Sequence, residues 1–210
     1  MSPRRPDQNR RSTVASPESY KRAVTNERAF TLAILEGGRG TRLGVRDKGS
    51  LRCEGATLVE RLIAAAPGAQ EVLRVGGSSL PDVMPARGAP GGLLTALELA
   101  STPWVLLVAC DMPHVASAAV DLLVSMAGVG VDAVAFDEGA PLAPLPSLWH
   151  VRTAPKVRAR LSASASFQDL FAQVSVARIA RARLAAVDPL LRSLASVNDA
   201  DDAKALNVEL

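Results

Sequence analysis

The chain changes character near residue 29. Residues 1–28 carry almost no large apolar side chains, whereas Phe30 onward alternates short apolar runs with longer amphipathic stretches. Phe30–Leu35 (FTLAIL) and Trp104–Ala109 (WVLLVA) are apolar throughout, as expected of strands covered on both faces. Gln70–Val75 and Ala133–Phe136 read as further short strands. Helical spacing predicts helices over Thr57–Ala66, which stops at Pro67-Gly68, and over Gly91–Ala100, Ser117–Met126, Pro155–Leu161 and Phe167–Gln173. Strands alternating with helices predict βαβ units and a mostly parallel sheet between two layers of helices, an α/β class of fold.

Composition narrows the chemistry. The chain has 210 residues, of which 48% are apolar, enough to bury one core without disulfides or a structural metal. Aromatics make up only 3%, which argues against base-stacking platforms for single-stranded nucleic acid. Two His (His114, His150) and two Cys (Cys53, Cys110) cannot supply a four-ligand zinc site of usual spacing. They also form no disulfide scaffold, which points to a reducing, cytoplasmic setting. Both His read as structural, Cys110 as a packed strand-end residue and Cys53 as a neutral thiol.

Charge changes the picture only after it is divided. The formal net charge is +3, yet residues 1–28 hold seven Lys/Arg against three Asp/Glu. The basic pI of 9.2 therefore belongs to this segment, not to a groove on the body. Residues 1–28 are expected to be a disordered basic extension, and 29–210 a single domain. The extension lacks the apolar region of a secretory signal, and no run is long enough for a transmembrane helix.

Candidate chemistry gathers at the ends of the apolar runs. The first is followed by Leu35-Glu36-Gly37-Gly38-Arg39-Gly40-Thr41-Arg42-Leu43-Gly44. Glycines here let backbone N–H groups approach an anion, and Arg42 adds a fixed charge. Neither the P-loop nor the dinucleotide glycine pattern is satisfied, since Gly44 falls one place late for the latter. Lys48 follows in Asp47-Lys48-Gly49, and with Arg42 it suits a triphosphate; two solvated cations are the plain alternative. Asp111 follows WVLLVAC directly, at the strand edge where open α/β sheets bind ligands, and could hold Mg2+ or simply cap a helix. Asp82 precedes the glycine-rich Gly88-Ala-Pro-Gly91-Gly92, which either admits a ligand or forms a tight loop. Asn198 or Asp199 could cap a helix rich in acids at its start.

These pieces, in this order, resemble the molybdenum cofactor guanylyltransferases (MobA-like nucleotidyltransferases) over about residues 30–207. The LxGGxGTRLG…DKG run, the D-x-x-P-x-x-G…GG segment, CDMP, PLPSLWH and the terminal SVNDADDAKAL carry the likeness. The resemblance implies a three-layer α/β/α Rossmann-like nucleotidyltransferase (GT-A-like) fold. It further implies transfer of GMP from GTP to the terminal phosphate of molybdopterin, with Mg2+ as cofactor and release of pyrophosphate. Molybdoenzymes or cofactor-delivery proteins are the implied protein partners, with neither nucleic acid nor membrane. Carried over by motif, Leu35, Glu36, Gly37, Gly38 and Gly40 would meet the nucleotide and Arg42 and Lys48 its phosphates. Asp82 would contact the nucleoside, Asp111 would hold Mg2+, and Asn198 would position the pterin.

The chain departs from the family pattern at several points. Glu36 stands where the family has Ala, and its carboxylate would repel a triphosphate unless it points away or pairs with Arg39 or Arg42. Pro90 is displaced by one position within GPLxG, Ser196 replaces the first Asn of the terminal motif, and VGGSS (75–79) lacks a nucleotide-contact Asn. Two alternatives therefore stand beside GMP transfer: a non-catalytic nucleotide-binding protein on the same scaffold, and cytidylyl transfer to the same pterin.

Overall fold

In the computed structural model, residues 27–36, 48–76, 80–139 and 141–210 are described. A six-stranded sheet runs in the order β4-β1-β5-β7-β6-β8. Its strands are β1 (Phe30–Leu35), β4 (Glu71–Val75), β5 (Trp104–Ala109), β6 (Ala133–Asp137), β7 (Leu142–His150) and β8 (Val176–Ala180). The β1–β4, β1–β5 and β6–β8 pairings are parallel, whereas β7 runs antiparallel to both β5 and β6.

The two apolar runs occupy the middle of the sheet because both of their faces are covered. Phe30, Leu32 and Ile34 of β1 and Trp104, Leu106 and Val108 of β5 pack on one side. There they meet α1 (Leu58–Ala65), α3 (Ser117–Ser125) and α6 (Arg181–Val187). Ala33, Leu35, Val105 and Leu107 face the other layer, made by α2 (Gly88–Leu99), α4 (Ala154–Ser162) and α5 (Phe167–Phe171). The period-two split of continuously apolar strands is what gives three layers.

Local signals set the helix ends. Thr57 and Glu60 form a capping box at α1, and Ser166 and Asp169 form one at α5. Helix α2 starts at Gly88, three residues earlier than the spacing predicts. Pro90 fits inside its first turn because that turn's N–H groups have no intrahelical acceptor. A second, three-stranded sheet, β3-β2-β9, joins β2 (Arg52–Cys53) and β3 (Ala56–Thr57) to the C-terminal β9 (Val208–Glu209). It shares a small core of Leu51, Cys53, Leu58, Val197, Ala203 and Val208 with α7 (Ala200–Ala205). Asp199, not Asn198, caps α7 by accepting from the amides of Asp201 and Asp202.

Strand β7 eludes the periodicity because Pro144 and Pro146 interrupt it. The β5 pairing spans only Ser147–His150, and the β6 register shifts beyond Ser147, so neither proline breaks a regular ladder. Trp149 of β7 stacks on Phe171 at 4.9 Å. No helix among the described residues is long and apolar enough to cross a membrane.

Candidate active site

The strand order places a crevice at a defined edge. From β1 the chain crosses through α1 to β4 on one flank, then through α2 to β5 on the other. Adjacent β1 and β5 are therefore a switch point, and ligands bind outside the carboxyl ends of such strands. A cavity of about 420 Å3 opens there. Leu35, Lys48, Asp82 and Asp111 of the expected residues line it, with Val75, Gly76, Gly88, Gly92, Cys110 and Leu145.

Lys48 and Asp111 meet directly. Lys48 Nζ donates to Asp111 Oδ2 at 3.0 Å and to the Val197 carbonyl at 2.8 Å, and both side chains are largely buried. The Val197 amide in turn donates to the Asp111 carbonyl at 2.8 Å. Three segments remote in sequence thus hold one cation and one carboxylate on the cavity wall. Asp111 leads the turn after β5 and does not cap α3, whose first residue is Ser117.

Asp82 brings a second carboxylate. Its Oδ1 is buried with no hydrogen-bond partner among the described residues, and burial pushes its pKa above the ordinary 3.8. A buried acceptor facing a cavity is suited to a ligand donor. Nearby, Gly92 packs closely against Leu35: a Cβ there would lie 2.6 Å from Leu35 Cδ2.

Glu36 takes a different course from its neighbour. Side chains alternate across the sheet, so Leu35 reaches the cavity while the Glu36 carboxylate meets Arg74 Nε at 2.6 Å. Its amide donates to the Val75 carbonyl at 2.7 Å. A cation from β4 therefore neutralises the carboxylate; the expected partners Arg39 and Arg42 lie outside the described residues. Gly37, Gly38, Gly40 and Arg42 lie outside the described residues, as does VGGSS beyond Gly76.

Asn198 is exposed beside Val197. Its side chain donates to Ser196 Oγ at 3.2 Å, and it is not among the cavity-lining residues. Leu145 and Val75 were missed because nothing local marks a strand-end apolar residue as a pocket wall. His114 Nε2 bonds the Leu206 carbonyl at 2.8 Å, and His150 packs edge-on to Trp104 at 4.9 Å. Cys53 and Cys110 are both buried, and burial raises the pKa of Cys53.

The donor set fits magnesium of a particular kind. No cluster of three or more His, Cys, Asp or Glu stands ready for a metal among the described residues. Mg2+, however, is commonly held by one or two carboxylates together with substrate phosphates and water. Asp111 supplies a hard oxygen on the wall where such phosphates would lie, so the residues present are compatible with it.

The sheet is of the open α/β class, with a lysine and a carboxylate at the switch point where such sheets bind ligands. The MobA-like NTP transferase domain family matches residues 32–179, and the chain belongs to that family of nucleotidyltransferases. Among curated relatives, a molybdenum cofactor guanylyltransferase of Serratia proteamaculans is 32% identical over 162 residues, covering 71% of this chain and 82% of the relative. One of the same name from Vibrio atlanticus is 29% identical over 61% of this chain and 72% of the relative. Among solved structures, molybdopterin-guanine dinucleotide biosynthesis protein A of Archaeoglobus fulgidus superposes with a TM-score of 0.71 at 21% identity. It covers 84% of this chain and 96% of that one, a likeness of fold.

Proposed function

We propose that this chain transfers GMP from GTP to the phosphate of molybdopterin in molybdenum cofactor biosynthesis. A phosphate oxygen of the pterin bonds to the α-phosphorus of GTP as the α–β phosphoanhydride bond breaks. The products are the guanine dinucleotide and pyrophosphate. The observation that carries the reading is the Lys48–Asp111 pair at 3.0 Å on the wall of the switch-point cavity. Its similarity to molybdenum cofactor guanylyltransferases supports the choice of nucleotide and acceptor.

In this reading Lys48 neutralises phosphate charge, assisted by Arg42, and Asp111 is the residue that would hold Mg2+. When bound, that ion would shield the phosphate oxygens and polarise the α-phosphorus. Leu35 closes the nucleoside side of the cavity, and Glu36, Gly37, Gly38 and Gly40 are assigned to the nucleotide by the family motif. Asp82 accepts hydrogen bonds from the nucleoside, and Asn198 orients the pterin from the rim. Positioning and charge neutralisation then perform most of the catalysis, with no covalent enzyme intermediate. Residues 29–210 form the catalytic domain; the cytoplasm is its place of action, and cofactor-delivery proteins or molybdoenzymes receive its product.

The test is direct. Purified protein incubated with Mg2+, molybdopterin and either GTP or CTP should release pyrophosphate and form the dinucleotide with GTP. Asp111→Ala should lower the rate by at least about 100-fold, the scale of losing several kcal/mol of charge stabilisation. Preference for CTP, or undiminished turnover by Asp111→Ala, would overturn the reading.

A further inference from the structure

Lys48 and Asp111 are 63 positions apart in sequence, so their contact at 3.0 Å depends on two chain units keeping register. One unit runs from the 3-10 turn Lys48–Ser50 through β2 and β3 into α1. The other is the turn that leaves β5 through Asp111, Met112 and Pro113. Resting on the site assignment above, we infer that Arg61 is a positioning residue that locks these units together, with His114 completing the lock through the C-terminal segment.

Arg61 is a half-buried residue of α1, one turn beyond the buried Leu58. Its Nε donates to the Pro113 carbonyl at 2.8 Å, two residues beyond Asp111. Its Nη1 donates to the Cys53 carbonyl at 3.4 Å, five residues beyond Lys48, and to Glu54 Oε2 at 2.8 Å. One planar guanidinium therefore bonds the backbone of both units at once. Lysine, with a single nitrogen on a flexible stem, cannot reproduce that fork.

A second tie closes the loop. A carbonyl oxygen only accepts, so His114 Nε2 donates to Leu206 O at 2.8 Å, and Cys53 Sγ approaches the same oxygen at 3.7 Å. Beyond Leu206, β9 pairs with β2 through Cys53↔Val208. Upstream in the same segment, Val197 bonds both Lys48 Nζ and the Asp111 backbone. The Asp111 turn is thus tied to the Lys48 unit directly by Arg61 and indirectly by His114. Neither Arg61 nor His114 lines the cavity, so each acts through the residues it holds.

The test is a double-mutant cycle in the full chain. Arg61→Met, Lys48→Met and the double variant are compared in Mg2+·GTP affinity by calorimetry, in GMP transfer, and in thermal midpoint. Arg61→Met is expected to lower kcat/KM about 10- to 100-fold, the penalty of ångström-scale misplacement, and Arg61→Lys should not restore it. In the Lys48→Met background the same change should cost less than about threefold, because coupled residues are non-additive. His114→Ala should reduce kcat/KM, and His114→Gln, whose amide can donate to the same carbonyl, should recover most of it. Equal losses from Arg61→Met in both backgrounds, or full activity of that variant, would overturn the inference. If the wild-type chain binds GTP without transferring GMP, the proposed reaction fails and the cycle is decided on affinity. If it binds no nucleoside triphosphate, both fail.

Discussion

Glu36 and Arg74 are ion-paired at 2.6 Å between neighbouring parallel strands, with the Glu36 side chain 7% exposed and that of Arg74 46% exposed. The pair neutralises the acid that precedes the glycine-rich run Gly37–Gly44. Alternation along β1 turns the carboxylate to the α1 side of the sheet, while Leu35 faces the α2 side and the cavity.

The two halves of this pair should respond differently. Glu36→Ala leaves a half-exposed guanidinium that water can solvate, so it should cost about 1 kcal/mol or less in urea unfolding, with GTP affinity changed by less than about threefold. Arg74→Ala removes the cation from a mostly buried carboxylate and should cost about 2–3 kcal/mol, with weaker GTP binding. A large gain in GTP affinity from Glu36→Ala would mean that the carboxylate does oppose the phosphates.

Asp82 should show a conflict between stability and binding. Burial raises its folded-state pKa, so its favourable contribution is complete below the ordinary 3.8 and is lost as pH rises through the folded value. At pH 7 the desolvated charge is a burden, and Asp82→Asn should raise the urea midpoint there, with the advantage shrinking as pH falls toward 4. The same variant should weaken guanosine nucleotide binding, because an amide presents donors where Asp82 Oδ1 now offers a buried acceptor. Calorimetry and unfolding curves on one preparation check both; a variant that is less stable at pH 7 would refute the account.

Much of this arrangement was legible in residue order, and the exceptions have physical causes. FTLAIL and WVLLVA announced the two central strands, and a carboxylate immediately after the second placed Asp111 at the ligand edge before any contact was known. Strand β7 was hidden because its prolines sit where pairing with β5 has ended and the β6 register shifts. The β3-β2-β9 sheet was hidden because it joins residue 52 to residue 209 through strands of two residues each, too short for any period. Arg74 could not be matched to Glu36 from sequence, since only the Ile34↔Arg74 register brings them together. What sequence reads well is local pattern; partners chosen by register become visible only with the sheet.

Glu71 provides a pH signature at the opposite edge of the sheet. Its Oε2 accepts from the Ser101 amide at 2.9 Å, the Ser101 hydroxyl at 3.0 Å and the Thr31 hydroxyl at 2.8 Å. Burial alone would raise its pKa, but these bonds to the ionised form outweigh it and hold the group below its ordinary 4.5. A depressed carboxylate stabilises the fold fully above its ordinary value and loses that contribution as pH falls through the folded one. Glu71→Gln should therefore cost about 1–2 kcal/mol at pH 7 and progressively less as pH drops below 4.5. A pH-independent difference in urea unfolding would assign the loss to shape rather than charge.

Gly92 links helix packing to the cavity wall. An added Cβ would lie 2.6 Å from Leu35 Cδ2 and 3.7 Å from Val75 Cγ1, on the buried face of α2. The atom in the way is the end of a side chain, so Leu35 can turn aside, but Leu35 already lines the cavity. Alanine gains about 1 kcal/mol of helix propensity over glycine, and relieving the clash costs about 1–3 kcal/mol. Gly92→Ala should therefore be mildly destabilising, by about 0–2 kcal/mol in urea unfolding. Its larger effect should fall on nucleotide affinity, lowered at least about 10-fold as Leu35 swings into the space a nucleoside would fill or α2 is pushed from β1. Gly128→Ala, where nothing lies within 4 Å of the new carbon, is the control and should leave affinity unchanged. Unaltered GTP binding by Gly92→Ala would show that Leu35 has room to retreat and that this wall does not touch the ligand.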